Sequence, residues 1–366
     1  MLNTVDKPLF YTTLILLVGG LLILASSSMV LSQKNAGTIG YYALRQLLFG
    51  GAGGIILLIF TANIPYYFWK KISIPFLIFS LILLALIFIP ELSRSFGGAK
   101  RWLQFGPISF QPSELLKLSF IMYLASWLDA RREAVASVSY GLIPFALMLA
   151  IIGMFLVMQP DIGTLGVIVA TAGILYFLGG GRISQIMTLS LFGLSIFYFL
   201  IQIAPYRLAR ILVFLNPGTD PQGTGYQITQ ALIAIGSGGF NGLGFGKSLQ
   251  KYNYLPEPMG DSIFAIFSEE LGFIGVILLV TLFAFLFWRG LAIAKNAPDN
   301  FGKLLAAGIS ISIMVQAFIN MAAISGLLPL TGIPLPFISY GSTSLIMTLM
   351  SINGLSKPRV RPHSIT

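Results

Sequence analysis

The chain has 366 residues, of which 56% are hydrophobic and only 9% charged, and its mean hydropathy is +0.87. A water-soluble protein of that composition would lack the polar surface to cover itself, so the solvent for most of this chain is lipid. The formal charge is +10, there is no cysteine, and the one histidine, His363, lies in a basic tail; disulfides, thiolate or histidine metal clusters and imidazole catalysis are excluded. Any catalytic base is therefore a carboxylate or something less usual, and no nucleic-acid partner is expected.

A membrane span needs about 20 apolar residues. Stretches of that kind run near 10–31, 43–63, 72–90, 113–128, 138–158, 162–180, 183–204, 262–288, 303–327 and 337–355. The first follows a weak n-region holding Lys7 beside Asp6, and its apolar run is longer than a signal-peptide core, so it reads as a retained helix. No internal repeat suggests the paired halves of a transporter. The expected fold is thus all-α: one polytopic membrane domain over 1–366, with ten transmembrane helices. A large extracytoplasmic loop at 205–261 separates helices seven and eight, and 356–366 forms a basic cytoplasmic tail. Within the loop, Gln227–Ile235 reads as a short helical run that folds back on the outer surface.

Placing both termini in the cytoplasm puts 12 of the 22 basic residues inside, a modest bias. The acids are more informative, because 8 of the 12 fall in the outer half: Glu91, Glu114, Asp161, Asp220, Glu257, Asp261, Glu269 and Glu270. Either these are solvated charges of longer external loops or they mark an outward polar site for an anionic, membrane-embedded substrate.

In chain order, the first constellation is Gly97-Gly98-Ala99-Lys100-Arg101-Trp102 with Gln111-Pro112-Ser113-Glu114-Leu115-Leu116-Lys117. Glycines beside two cations suit a diphosphate, and equally an anionic head group. Glu114 and Lys117 stand three apart on one helical face, forming either a self-neutralising ion pair or a pair that orients a third charge. In Gln159-Pro160-Asp161-Ile162-Gly163-Thr164 the aspartate is expected first of all to cap the following helix.

The next constellation is Gly242-Leu243-Gly244-Phe245-Gly246-Lys247-Ser248-Leu249-Gln250-Lys251, then Tyr254-Leu255-Pro256-Glu257-Pro258-Met259-Gly260-Asp261, then Glu269-Glu270-Leu271-Gly272. It resembles a phosphate loop but fails as one, since Asn241 stands where the leading glycine is needed. Asp261 sits where a Pro- and Gly-rich loop meets an apolar helix. That setting raises a carboxylate's pKa toward that of a useful base, although a plain helix cap fits the position as well. Glu269 and Glu270 lie more than two turns further on and are expected to face other helices. Gly332-Ile333-Pro334-Leu335-Pro336-Phe337-Ile338-Ser339-Tyr340-Gly341-Ser342 breaks the helix with two prolines and is expected to shape a cavity mouth.

Together these residues resemble the SEDS family of bacterial cell-wall proteins, which serve division, elongation and sporulation. The resemblance runs through Gly98-Ala99-Lys100-Arg101-Trp102, Gln111-Pro112-Ser113-Glu114, Gln159-Pro160-Asp161, Tyr226-Gln227, Gly246-Lys247-Ser248, Leu255-Pro256-Glu257 and Pro334-Leu335-Pro336-Phe337-Ile338-Ser339-Tyr340-Gly341. There are two departures: Met259-Gly260-Asp261 stands where His-Thr-Asp is common, and Gly341-Ser342-Thr343 where Gly-Gly-Ser/Thr is usual. The wording around Gln104-Phe105-Gly106, Phe110-Gln111-Pro112-Ser113-Glu114 and Leu255-Pro256-Glu257-Pro258 is closer to the FtsW-like division branch than to the RodA-like elongation branch.

The resemblance implies a multi-pass protein of the bacterial cytoplasmic membrane that polymerises lipid II into glycan strands at the outer face. It would work beside a class B penicillin-binding transpeptidase and other divisome proteins. Asp261 would be the general base on the acceptor's 4-hydroxyl, with inversion at the donor MurNAc C1. Glu114 and Lys117 would orient and tune it. Lys100, Arg101, Gln111, Lys247, Ser248 and Lys251 would bind the diphosphate and substrate, and Asp161, Glu257, Glu270 and Ser339 are further candidates. No tightly bound cofactor is expected; a divalent cation, Mg or Mn, would assist the leaving diphosphate, with ligands unknown. The rival readings are a lipid II flippase or transporter, a non-catalytic scaffold and an elongation-type polymerase.

Overall fold

In lipid every backbone N–H and C=O must be satisfied internally, so long apolar runs become helices. The computed structural model describes residues 6–356 except 97, 98, 107, 204, 217–222 and 224. Of the features singled out above, Gly97, Gly98, Asp220 and the tail from residue 357, with His363, lie outside the described residues. The helices are α1 Lys7–Ser27, α2 Met29–Ala36, α3 Tyr41–Thr61 and α4 Tyr66–Leu86, then α5 Pro112–Ala130, α6 Val138–Met158, α7 Ile162–Leu178 and α8 Ile183–Ile203. They continue as α9 Pro205–Leu215, α10 Tyr226–Gly238, α11 Ile263–Lys295, α12 Asn300–Ile324 and α13 Ser342–Ser356.

A helix stands at each of the ten predicted stretches. Seven of them, α1, α3, α4, α6, α8, α11 and α12, are long and apolar enough to cross a membrane. The other three are α5, α7 and α13. The centre is α12, which buries 78% of its most apolar window and packs against α5, α7, α11 and α13. Small residues allow that approach: a Cβ added at Gly308 of α12 would stand 2.7 Å from Ile121 of α5. By contrast, α8 buries only Gln185 and lies at the periphery.

At one end of the bundle, ion pairs and caps hold the helix termini. Asp6 caps α1 and meets Arg289 of α11 at 2.5 Å, and Lys70 meets Asp129 at 2.5 Å. Asp299 caps α12 and accepts from Tyr66 at 2.9 Å.

Three features depart from the all-α expectation with one loop. Between α4 and α5 a three-stranded antiparallel sheet forms, β1 Ser93–Phe96, β2 Ala99–Phe105 and β3 Ile108–Phe110, in the order β1-β2-β3. Its backbone groups pair with one another, and Leu103 of β2 is fully buried. The 205–261 segment carries two helices, α9 and α10, rather than the single short run expected.

The third departure is that α11 is not one straight span. It is broken at Gly272, which takes φ 63 and ψ −165, a conformation that only glycine adopts easily. A Cβ at Gly272 would lie 2.2 Å from the backbone N of Gly242, so the 240–242 turn is seated directly in the break. There Phe273 N donates to Gly239 O, Leu243 N to Glu269 O and Gly244 N to Glu270 O. The apolar run on both sides of Gly272 hides this break in the sequence.

Candidate active site

The site is built from a loop that its sequence forbids to be helical. Pro256 and Pro258 flank Glu257, which takes a left-handed φ of 49. The Glu257 carbonyl accepts from Gly260 N at 3.0 Å and Ser262 N at 3.3 Å, closing a tight turn that ends at α11. The cap position of α11 belongs to Ser262 rather than to Asp261. Asp261 is thus not consumed as a helix cap, and one of the two sequence readings falls away.

The Asp261 carboxylate is partly exposed and lightly held. Both its oxygens lie 3.4 Å from Nε2 of Gln227 on α10, whose shorter bond, 2.9 Å, goes to Ser262 Oγ. Burial of its surroundings, then the negative charge of Glu257, push its pKa up to about 6. The bond from Gln227, a backbone bond and the Arg210 guanidinium act in the opposite direction.

Two cations converge with it. Arg101 on β2 donates through Nε to Gln159 O at 3.4 Å and through Nη2 to Pro160 O. Gly332 marks the junction: a Cβ added there would be 3.7 Å from Asp261 Oδ2 and 3.9 Å from Arg101 Nη1. Arg210 of α9 donates to Leu330 O at 3.1 Å. Although Arg210 is exposed, desolvation by neighbouring groups, then the charge of Arg101, lower its proton affinity, while Asp261 raises it. Arg101 and Arg210 are therefore two cations that share one field with the lightly held Asp261 and the nearby Glu257 and can meet an added anion.

The loops around Asp261 are laced together by hydrogen bonds to three successive carbonyls. Met259 O accepts from Tyr340 N at 2.8 Å, Gly260 O from Ser339 Oγ at 2.7 Å, and Asp261 O from Asn320 Nδ2 at 2.9 Å. Ser339 Oγ also accepts from Leu335 N at 2.8 Å. On the other flank, α1 comes so close that a Cβ at Gly20 would stand 2.4 Å from Phe337 O.

Several predicted site residues are placed differently. Ser248 and Lys251, expected to bind a diphosphate, are fully buried and already used. Lys251 Nζ pairs with Glu270 Oε1 at 3.1 Å and donates to Ser26 Oγ at 3.0 Å and Gly246 O at 2.6 Å. Ser248 Oγ donates to Glu269, whose carboxylate also accepts from Leu249 N at 3.0 Å and Gln250 N at 3.4 Å. Glu269 and Glu270 thus hold this loop, and Ser26 of α1, rather than only facing other helices. The cluster lies at the far end of the 263–271 half-helix, eight or nine residues, roughly 12 Å of rise, from Asp261.

Glu114 and Lys117 pair at 2.8 Å as expected from spacing, but neither touches Asp261. Lys117 donates to Gln316 Oε1 of α12 instead, and Gln316 Nε2 donates to Pro334 O at 2.9 Å. The groups that tune Asp261 are Glu257, Gln227 and Arg210. Gln111 is buried and donates to Ser113 Oγ at 3.2 Å. Asp161 caps α7 through Thr164 N at 3.3 Å and accepts from Ser113 Oγ at 3.2 Å, so the cap reading holds. Lys100, Lys247 and Glu257 are exposed.

Arg210, Asn320 and the bonding role of Gln227 were not anticipated. Arg210 could have been found as one of two arginines three apart in a short amphipathic run, and Asn320 as a lone amide four residues after Gln316 in an apolar stretch. Among the described residues no three acids or imidazoles converge to hold a metal ion. Asp261 and Glu257 alone do not make a resident cation site; an ion arriving with a diphosphate would keep most of its ligands from the phosphates and water.

Fold and site together define a multi-pass membrane protein with an acid and two guanidiniums gathered at loops between its apolar helices. The family described as cell cycle proteins, the FtsW/RodA/SpoVE family, matches residues 7–357, and the chain belongs to it. It is 44% identical to the stage V sporulation protein E of Bacillus subtilis over 316 residues, 86% of each chain. It is 41% identical to the probable peptidoglycan glycosyltransferase FtsW of Geobacter metallireducens over 313 residues, 86% of this chain and 84% of that one. Among solved structures, a chain of a peptidoglycan synthase complex that couples polymerization and crosslinking superposes with TM-score 0.80 at 28% identity, covering 96% of this chain and 97% of that one. The rod shape determining protein RodA of Thermus thermophilus gives 0.72 at 25%, covering 98% of each.

Proposed function

We propose that this protein is a peptidoglycan glycosyltransferase that polymerises lipid II into glycan strands at the outer face of the bacterial cytoplasmic membrane. Ten spans with both termini in the cytoplasm would carry it. The observation that carries the reading is Asp261, a carboxylate with a pKa of about 6, lightly bonded and set beside Arg101 and Arg210. At neutral pH most of Asp261 is ionised, and its elevated pKa makes it a better proton acceptor than an ordinary aspartate. It takes the proton of the 4-hydroxyl on the acceptor's terminal GlcNAc. That oxygen attacks C1 of the donor MurNAc, and undecaprenyl diphosphate leaves from the opposite face with inversion. Arg101 and Arg210 stabilise the charge growing on the diphosphate, replacing the buried Ser248 and Lys251 in that role. A divalent cation, where required, would travel with the diphosphate.

The relatives named FtsW, one of them 41% identical over 86% of this chain, support a septal role. The proposed partner is a class B penicillin-binding transpeptidase, in company with other divisome proteins. The decisive experiment compares polymerisation of labelled lipid II by wild type and Asp261→Asn, each with the cognate transpeptidase. Glycan strands from wild type alone, with the variant folded and still binding lipid II, are expected. Equal polymer from both would sink the general-base assignment, and none from an intact wild-type complex would favour a flippase or a scaffold.

A further inference from the structure

A general base works only if its oxygen is held within a few tenths of an ångström of the proton it takes, and a displacement of about 1 Å can cost on the order of 100-fold in rate. The contacts of the Asp261 side chain do not supply that precision, since both its oxygens sit 3.4 Å from a single amide. What fixes the residue is its backbone. Asn320 is 1% exposed on α12, the central helix of the bundle, and its Nδ2 donates twice: to Asp261 O at 2.9 Å and to Ile333 O at 2.8 Å. Ile333 follows Gly332, the point where Asp261 and Arg101 converge. One amide therefore ties the loop of the base and the loop beside the cation to the same rigid helix.

Ser339 repeats the device from the other side. It is 5% exposed, donates to Gly260 O and accepts from Leu335 N, again joining the two loops. Among the described residues, the buried Asn320 Oδ1 has no hydrogen-bond partner. An amide kept in apolar surroundings with one end unsatisfied is there for what its other end holds.

We infer that Asn320 and Ser339 are positioning residues that clamp the 259–261 and 332–340 loops together and so set the placement of Asp261 against Arg101. The inference rests on Asp261 being the general base. A residue on a rigid element supporting a reactive one through a second layer of bonds is the arrangement such chemistry requires.

The test measures kcat and KM for labelled lipid II across pH, with the cognate transpeptidase present, for wild type, Asp261→Asn, Asn320→Ala, Ser339→Ala and Ser339→Thr. Thermal midpoints in detergent are recorded alongside. Asn320→Ala and Ser339→Ala are expected to lose kcat by about tenfold or more with KM within about threefold of wild type. Their acid limb is expected to move away from about pH 6, because a displaced carboxylate meets Glu257 and Arg210 at new distances. Ser339→Thr, which keeps the hydroxyl, is expected to recover most of the rate. Ser339→Ala is a small deletion and carries the test should Asn320→Ala fail to fold. An inactive Asp261→Asn beside Ser339→Ala and Asn320→Ala with wild-type kcat and pH profile would overturn the clamp alone. An active Asp261→Asn would overturn the general-base reading and the clamp with it. Loss of thermal midpoint with unchanged kcat in the folded fraction would reduce both residues to structural ones.

Discussion

The half-helix 263–271 has carboxylates at both ends, and they live in opposite circumstances. At its far end Glu269 and Glu270 are buried to 1% and 0% exposure and take up donors from Ser26, Ser248, Leu249, Gln250 and Lys251. At its near end Asp261 is partly open, with two long contacts to one amide and a like charge, Glu257, close by. Both regions look equally promising in the sequence, being charged residues beside Gly- and Pro-rich turns. What separates them is access: the first cluster is sealed inside the fold, holding a loop in the break at Gly272, although among the described residues Glu270 Oε2 meets no donor, whereas Asp261 is open to a substrate proton.

The sharpest way to break that comparison is to remove one charge at each end. Asp261→Asn is expected to cut lipid II polymerisation by about 100- to 10,000-fold, the usual contribution of a positioned base. Its thermal midpoint at pH 7 should hold or rise. With a folded-state pKa raised from 3.8 to about 6, ionised Asp261 disfavours the fold, a penalty that sets in as pH rises from about 4 to about 6 and that asparagine lacks. Lys251→Ala should do the reverse. It strands Glu270 without its counter-ion in a buried site, a loss of about 3–5 kcal/mol, read by thermal or denaturant unfolding in detergent. The double change Lys251→Met with Glu270→Leu removes both charges and should restore most of that stability. A Lys251→Ala protein as stable as wild type but unable to bind lipid II would return Lys251 to the substrate-binding set.

How much of this was legible follows the same physics. The ten apolar stretches announce themselves because lipid imposes a length and a composition on helices. Asp261 was visible as a carboxylate at a loop-to-helix junction, and the pairing of Glu114 with Lys117 follows from their helical spacing. The commitment of Lys251 and Ser248 was not legible, because their partners Glu269 and Glu270 lie about 20 residues away and the loop reaches them by way of a turn seated in the Gly272 break, which an apolar run conceals. Nor was the sheet at 93–110, whose strands are short. The bonding of Asn320 is not legible either, since a lone amide in an apolar helix does not specify which carbonyls it will meet. Local spacing predicted local contacts, and the misses are contacts made by chain topology.

A smaller effect sharpens the electrostatic side. After burial, Glu257 is the largest influence raising the Asp261 pKa. Glu257→Gln removes that like charge, so the acid limb of the rate profile should move below its wild-type inflection near pH 6, with the plateau rate at pH 8 little changed. Arg210→Ala should move the limb the other way, because the cation favours ionised Asp261. It should also raise KM, as one of the two cations facing the diphosphate is lost. Shifts of the same sign in both variants would mean that the titrating group is not Asp261.

The smallest expected effect concerns a further acid, Asp161, which resembles Asp261 in sequence setting and Glu269 in behaviour. It is 1% exposed, caps α7 through Thr164 N and accepts from Ser113 Oγ. Asp161→Ala should therefore cost about 1 kcal/mol, the ordinary worth of a helix cap, while Asp161→Asn, which keeps an acceptor oxygen, should cost only a few tenths. Polymerisation per folded molecule should stay within about twofold of wild type for both, a tolerance far below what a reacting group would show. The reason lies in the backbone: Asp161 N donates to Leu156 O at 2.8 Å, so the turn that presents the Gln159 and Pro160 carbonyls to Arg101 does not depend on the aspartate side chain. Thermal unfolding paired with the polymerisation assay reads both quantities in one preparation. A fall in rate of 100-fold at unchanged stability would move Asp161 from the group of sealed carboxylates to that of Asp261, and the contrast between sealed and open acids would then no longer distinguish the reactive acid from the structural ones.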